Sequence, residues 1–385
     1  MAAPLPTPDS EALAHSQQLV QLIQNEIEKA GGWIDFAHYM HLALYSPGLG
    51  YYSAGSRKFG GAGDFVTAPE ISSLFGQTLA RQVAQVLQQT QGNILELGAG
   101  SGKLCAQLLL ELQQLEALPQ QYFILEVSAY LREVQQQALQ HMLPTDLTAR
   151  VQWLDELPPT FRGLVLANEV LDALPVHIIK TREQELQELG VTCSSGTFGW
   201  QARQVSSGKL QKRALELNLP PDFQTELNLA APALVSSLSA MLQHGVILLI
   251  DYGFPRHEYY HAQRSAGTLM CHYRHYAHSD PFLYPGLQDI TAHVEFTAVA
   301  EAGVANSLNL LGFSSQAQFL INCGITQLLQ RYSPSEMMAY AAVAAQAQKL
   351  LSPTEMGELF KVIALGRDYA NPLIGFHQGD KRHKL

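Results

Sequence analysis

Leu13, Leu19, Leu22, Ile23 and Ile27 recur at helical spacing through residues 11–30, and Gly31-Gly32 closes the pattern as a helix C-terminus does. An amphipathic helix therefore opens the chain. Over residues 34–76 the periodicity gives way to Gly-, Tyr- and Ser-rich sequence, with YSPGLGYY at 45–52 and GGAGDFVTAPE at 60–70. This composition predicts long loops of the kind that carry function. Helical spacing returns over 71–89. Strand-like apolar runs then alternate with helical patterns: 93–97, 122–127, 151–154, 164–167 and 246–250. The alternation predicts an α/β fold with a parallel, doubly wound sheet.

The rhythm breaks at 176–205, where VHIIKT, LQELGVT and FGWQARQV read as short strands joined by turns that include Ser195-Gly196, a β insertion. Beyond residue 299 the chain turns Ala-, Leu- and Gln-rich, and 314–322 and 337–351 have helical spacing, which predicts a helical C-terminal segment. The expected division is an N-terminal helical, site-covering segment at 1–90 and a core at 91–176 and 241–300. A β-rich insertion with a helix at 177–240 interrupts it, and a helical segment at 301–385 follows.

Hydrophobic residues make up 47% of the 385, which excludes disorder over most of the chain. Lys and Arg total 24 against 34 acids, a net charge of −10, so no global field favours nucleic acid. Cys105, Cys193, Cys271 and Cys323 form no C-x-x-C pair, which fits a reducing cytoplasm better than a disulfide scaffold. The start MAAPLPTPDS lacks the pattern of a secretory signal, and no run reaches the roughly 18 apolar residues of a membrane span, so membrane insertion is not expected. The basic tail Lys381, Arg382 and Lys384 reads as a solvated terminus.

The most informative string is Ile94-Leu95-Glu96-Leu97-Gly98-Ala99-Gly100-Ser101-Gly102-Lys103-Leu104. A strand runs into a glycine turn and then a helix, the arrangement that lets backbone approach a nucleotide-like ligand. A dinucleotide-binding turn usually reads G-x-G-x-x-G, whereas these glycines fall at 98, 100 and 102. Glu96 precedes the first glycine by two, where a carboxylate can face the ammonium of S-adenosylmethionine. Glu126 ends the second strand and can accept hydrogen bonds from ribose hydroxyls. Asp155 follows the third strand, where an adenine amino group would be met; its plain structural reading is a helix N-cap before Glu156.

With these residues in view, the chain resembles the MidA-like family of S-adenosylmethionine-dependent methyltransferases, whose mitochondrial members assist assembly of respiratory complex I. The matching segments are LALYSPGLGYY at 42–52, GDFVTAPEISSLFG at 63–76, LELGAGSGKL at 95–104, NEVLDALPV at 168–176, IDYG at 250–253, DPFLYPGLQDITAHVEF at 280–296 and GELFKVIAL at 357–365. Family members often read Pro and Arg where this chain has Ala99 and Ser101, and N-E-F-F-D where it has Asn168-Glu169-Val170-Leu171-Asp172. The resemblance implies a Rossmann-like class I fold, S-adenosyl-L-methionine as cofactor, and methylation of arginine on a partner protein such as a respiratory-chain subunit. It leaves a homodimer open. It also implies that the loop with Gly63, Asp64, Phe65 and Thr67 closes over the cofactor, beside Glu96, Gly98, Gly100, Glu126, Asp155 and Asn168. The plain reading of that loop is a capping cluster before the helix at 71–89, with Pro69 in its first turn.

Methyl transfer from a sulfonium is an in-line displacement that needs alignment of the acceptor and no metal. A guanidinium acceptor arrives charged, so carboxylates must orient it and help remove a proton. Glu169 and Asp172 lie after the fourth strand, at the edge where doubly wound folds place ligands, and their spacing predicts one shared helical face, with Asn168 as an alternative N-cap. Asp251 and Tyr252 end the strand at 246–250. Asp289, Thr291 and His293 lie in a run whose alternation suggests a strand, and His293 can relay a proton or serve as a buried structural group. His272, His275 and His278 have metal-like spacing beside Arg274, but strand followed by loop and no nearby cysteine argue against zinc. Two rivals remain at this stage: a methyltransferase for a small molecule or another side chain, and a non-catalytic assembly factor.

Overall fold

A computed structural model describes residues 5–54, 66–182, 185–205, 207–332 and 337–385, without the side chains of residues 337 and 339. Helix α1 (Ser10–Lys29) begins where the Asp9 carboxylate accepts the Ala12 N–H at 2.9 Å, and it buries Leu19, Ile23 and Ile27. Strand β1 (Ile34–Asp35) leads into α2 (Phe36–Tyr45), capped by Asp35. This helix stands in a stretch whose Gly and Tyr content predicts loop. Phe36, Tyr39, Met40, Ala43 and Leu44 form a continuous buried face, and that spacing outweighs the composition.

Next come α3 (Ala68–Ile71), α4 (Ser73–Thr90), β2 (Asn93–Leu97), α5 (Lys103–Gln114), β3 (Tyr122–Leu125), α6 (Ala129–Met142), α7 (Thr145–Thr148), β4 (Val151–Leu154) and β5 (Phe161–Asn168). The middle of the chain holds β6 (His177–Arg182), β7 (Glu185–Ser194), β8 (Thr197–Gln204), α8 (Gly208–Glu216), β9 (Gln224–Leu227), α9 (Ala230–Met241), β10 (Leu242–Phe254) and α10 (Arg256–Tyr259). The last part supplies β11 (Met270–Tyr273), β12 (Tyr276–His278), β13 (Asp289–Thr291), β14 (Val294–Glu295), α11 (Phe296–Ala305), β15 (Asn309–Ser315), α12 (Gln316–Asn322), α13 (Ile325–Leu329), α14 (Met337–Leu351) and β16 (Phe360–Arg367).

The chain divides into two compact units, each built from three segments: Met1–Phe65, Asp172–Ala231 and Arg256–Val294 in one, Val66–Leu171, Pro232–Pro255 and Glu295–Leu385 in the other. In the first unit the predicted β insertion is present as an antiparallel sheet in the order β1-β7-β6-β9, with β8 against β7. Ser195 and Gly196, both at positive φ, make the tight turn between β7 and β8. A second small sheet, β12-β11-β13, turns at Arg274 and His275, again both at positive φ. The histidine run therefore lies on a hairpin, with His272 and His278 on its two strands and His275 in its turn. The core of this unit joins α1 and α2 to the sheets through Leu19, Ile23, Phe36, Tyr39, Val191, Cys271 and Ile290.

The second unit carries the expected Rossmann-like sheet, in the order β15-β16-β10-β5-β2-β3-β4. Strands β10, β5, β2, β3 and β4 are parallel, and β16 and β15 extend the sheet antiparallel. The C-terminal segment thus departs from the all-helical expectation: α12 and α14 are present, but so are two strands. Val362, Ile363, Ala364 and Leu365 of β16 are all fully buried, so the run lacks the apolar and polar alternation that flags a strand. The helix expected over 71–89 is split. Ser72 is extended (φ −155, ψ 138) and caps α4 by accepting the Leu74 N–H, so α3 stands as a separate turn.

Gly163 (φ +127) and Gly245 (φ +142) are register partners on β5 and β10. A Cβ on Gly245 would lie 1.9 Å from the Gly163 carbonyl oxygen, and one on Gly163 would lie 2.1 Å from that of Asn93. Three neighbouring strands approach there with no room for a side chain.

Candidate cofactor and active site

Strand β2 ends in a turn where Gly98, Gly100 and Gly102 all have positive φ (+61, +55 and +81). The predicted glycine spacing is thus the spacing of left-handed backbone positions, which L side chains rarely adopt. The Gly98 N–H donates to the Leu125 carbonyl at 3.0 Å, tying the turn to the end of β3. Helix α5 starts at Lys103, so its first N–H groups point out of the turn.

Glu96 is not open at the strand end. It is buried (2% exposed), and one carboxylate oxygen accepts the Tyr122 phenol hydrogen at 2.7 Å. Burial pushes its carboxyl up to about 7; the Tyr122 hydrogen bond opposes the rise and the Glu126 charge adds to it. Burial and Glu96 together also raise the Cys105 thiol on α5.

Glu126 follows β3 as expected and is buried, which raises its carboxyl above the ordinary range against the hydrogen bonds it accepts. One oxygen accepts the Ser128 N–H and the other the Gln135 side-chain amide, both at 3.0 Å. Gln135 is fully buried, donates also to the Gly100 carbonyl at 3.1 Å, and accepts the Trp153 indole N–H at 2.8 Å. One amide thereby joins the glycine turn, Glu126 and β4. Beside Glu126, Val127 is 75% exposed, an apolar surface at the ligand edge of the sheet.

The Asp155 carboxylate is 92% exposed and pairs with Arg132 at 2.7 Å. No helix begins there, so Asp155 does not cap one. Arg132 also donates to the Glu126 carbonyl at 2.7 Å and the Leu154 carbonyl at 2.6 Å, bridging the ends of β3 and β4.

At the end of β5 the helical expectation fails. Glu169 has φ +55 and no helix follows, so Glu169 and Asp172 share no helical face, and Asn168 caps no helix. Glu169 instead accepts the Asn168 amide at 3.1 Å and the Ala68 N–H at the start of α3 at 3.3 Å. The Asn168 amide oxygen is buried and accepts no hydrogen bond among the described residues. Asp251, predicted at the ligand edge, accepts the N–H groups of Val170 (3.2 Å), Leu171 (2.9 Å) and Tyr252 (2.9 Å), and so fixes the loop after β5.

Gly63, Asp64 and Phe65 lie outside the described residues. Thr67 stands at the N-cap of α3 but accepts no capping hydrogen bond, and Pro69 occupies the first turn. The informative residue of this string is Glu70, whose two carboxylate oxygens take the Ser101 hydroxyl and the Lys103 ammonium. Gln107 of α5 donates to the Pro69 carbonyl at 2.9 Å.

Asp172 and His293 belong to the other compact unit. Asp172 is buried, and its carbonyl accepts the Ala292 N–H at 3.0 Å. The strand expected through Asp289 to Val294 is interrupted: β13 ends at Thr291, and the His293 N–H donates to the Thr268 hydroxyl at 3.1 Å. Asp289 is buried and accepts the Tyr52 phenol hydrogen at 3.0 Å. Among the described residues, Asp35, His177 and Glu188 bring ligand-capable atoms within 4.8 Å of one another. His177 Nδ1 lies 2.8 Å from Glu188, the geometry of a histidine–carboxylate hydrogen bond between β6 and β7.

The positive-φ turn, the acid after β3, the exposed Val127 and the buried Asn168 oxygen that accepts no hydrogen bond among the described residues fit an adenosyl amino acid. Tyr122, Arg132, Gln135 and Glu70 were not legible as site residues. Gln135 sits in the run Gln135-Gln136-Gln137, where nothing separates it from its neighbours.

Residues 78–314 match the family described as S-adenosyl-L-methionine-dependent methyltransferase. The chain is similar to the mitochondrial protein arginine methyltransferase NDUFAF7 homolog of Drosophila melanogaster, with 28% identity over 95% of this chain and 89% of the relative. The corresponding figures for the protein arginine methyltransferase NDUFAF7 of Danio rerio are 28%, 87% and 84%. A crystal structure of a Burkholderia thailandensis protein bound to S-adenosyl-homocysteine is 48% identical, with a TM-score of 0.96, covering 99% of this chain and all of that one.

Proposed function

We propose that this chain, which belongs to the family of S-adenosyl-L-methionine-dependent methyltransferases, methylates arginine on a partner protein. The observation that supports the methyltransferase reading is the β2 turn, where three glycines stand at positive φ, with the buried acid Glu126 and the exposed Val127 following β3 and the buried Asn168 amide oxygen, which accepts no hydrogen bond among the described residues, ending β5. The names of the NDUFAF7 relatives support the acceptor.

S-adenosyl-L-methionine supplies a sulfonium methyl, which leaves with its bonding pair staying on sulfur. In this reading the chain's own groups do the rest. Glu126 accepts ribose hydroxyl hydrogens. Val127 packs on the adenine, and the Asn168 amide oxygen accepts an ammonium hydrogen. Buried Glu96 supplies negative charge beneath the turn. Glu169 orients the guanidinium by charge-assisted hydrogen bonds and receives its proton. Asp172 and His293 are further proposed acceptor-side groups, on their chemistry alone.

The test is incubation of the full chain with labelled S-adenosyl-L-methionine and cell extract, followed by mass-spectrometric mapping. Label on arginine of a discrete protein is expected. Label confined to another residue type or to a small molecule would overturn the acceptor reading.

A further inference from the structure

We propose that Glu70 is a positioning residue that sets the glycine turn for the homocysteine end of the cofactor. The proposal rests on the reading that this turn holds the cofactor. Residues 98–102 include three glycines at positive φ, the residue type with most conformational freedom to lose, so an ordered turn needs ties from outside itself. Three such ties exist. Gly98 is bonded to the end of β3, and Gly100 is held through its carbonyl by Gln135. Glu70 grips the far side, with one carboxylate oxygen on the Ser101 hydroxyl and the other on the Lys103 ammonium.

The charges explain why an acid stands there. Lys103 is the first residue of α5, where the helix dipole is positive and a cation is disfavoured. The Glu70 carboxylate, 5% exposed, supplies the opposing charge at that helix end. Its own backbone is fixed in turn. Glu169 accepts the Ala68 N–H and Gln107 donates to the Pro69 carbonyl, so α3 is anchored to the end of β5 and to α5. Glu70 thus links the glycine turn to α3.

The experiment measures binding of S-adenosyl-homocysteine, and of adenosine alone, by calorimetry and competition on the full chain, with unliganded thermal unfolding alongside. Adenosine uses the β3 and β4 ends but not the amino acid end. Glu70→Gln keeps the shape and removes the charge; it is expected to weaken S-adenosyl-homocysteine by about tenfold and adenosine by less than about twofold. Lys103→Met is expected to weaken S-adenosyl-homocysteine by about threefold, and the double variant to be no weaker than Glu70→Gln. Unchanged affinity in Glu70→Gln, or equal loss for both ligands, overturns the proposal. Should Glu70→Gln fail to fold, Ser101→Ala and Lys103→Met carry the same comparison. If Gly98→Val also binds S-adenosyl-homocysteine normally, it is the reading of the turn itself that fails.

Discussion

Tyr122 donates its phenol hydrogen to Glu96 at 2.7 Å, two buried side chains on adjacent parallel strands. The acid two residues before the glycine turn is therefore part of the interior, and its ionisation is set by the protein before any ligand arrives. With its carboxyl pushed up to about 7, Glu96 changes charge in the physiological range.

A cationic amino group prefers ionised Glu96, so affinity for S-adenosyl-homocysteine should rise between pH 6 and pH 8, approaching tenfold per unit on the acid side of the transition. Calorimetric titration at several pH values measures this. Glu96→Gln should flatten the profile, and an unchanged slope in that variant would sink the assignment.

Stability follows the opposite sign. The folded carboxyl lies above the unfolded value near 4.5, so the folded state favours the protonated form. Its contribution is fully present below about 4.5 and is lost as pH rises toward 7. Glu96→Gln should therefore raise the Tm by a few degrees at pH 8 and by little at pH 4.5. Tyr122→Phe should lower Tm at pH 8, since it strips a donor from a buried carboxylate, a loss of about 1–3 kcal/mol.

Gly245→Ala should destabilise by about 3 kcal/mol, because its Cβ would meet the Gly163 carbonyl at 1.9 Å and its φ is +142. Gly199→Ala, with nothing within 4 Å, should stay within about 0.5 kcal/mol. Urea unfolding of the two variants decides; equal midpoints would show that the strands separate to accept the methyl.

Arg132 and Asp155 form one pair with unequal weight. Asp155→Ala should cost less than about threefold in S-adenosyl-homocysteine affinity, because its carboxylate is 92% exposed and screened. Arg132→Ala should cost about tenfold, since the guanidinium also holds the Glu126 and Leu154 carbonyls. A larger effect at Asp155 than at Arg132 would point to direct adenine recognition by the acid.

What could be read in advance follows from how each feature is encoded. Strands β2 and β4 match their sequence patterns at both ends, since short apolar runs bounded by turn residues specify strands locally. Helix α2 was hidden by tyrosines and glycines around it, although its buried face has regular spacing. Strand β16 was hidden because burial on both faces removes alternation. Glu169 was placed on a helix by spacing alone, whereas its left-handed backbone depends on Asp251, about eighty residues away, holding the N–H groups that follow. Gln135 and Arg132 could not be ranked above other polar residues of α6, because their roles come from which strand ends surround them.

The segmental make-up of the two units constrains biosynthesis. Three segments each, alternating along the chain, mean five passages from one unit to the other, so no single cut separates the two units. β16 lies between β10 and β15, so the sheet is continuous only once residues 360–367 have been made. An emerging chain therefore waits with exposed strand edges until residues 360–367 leave the ribosome. A frameshift near residue 355 would remove an interior strand of the sheet, and such products should depend on chaperones and be degraded.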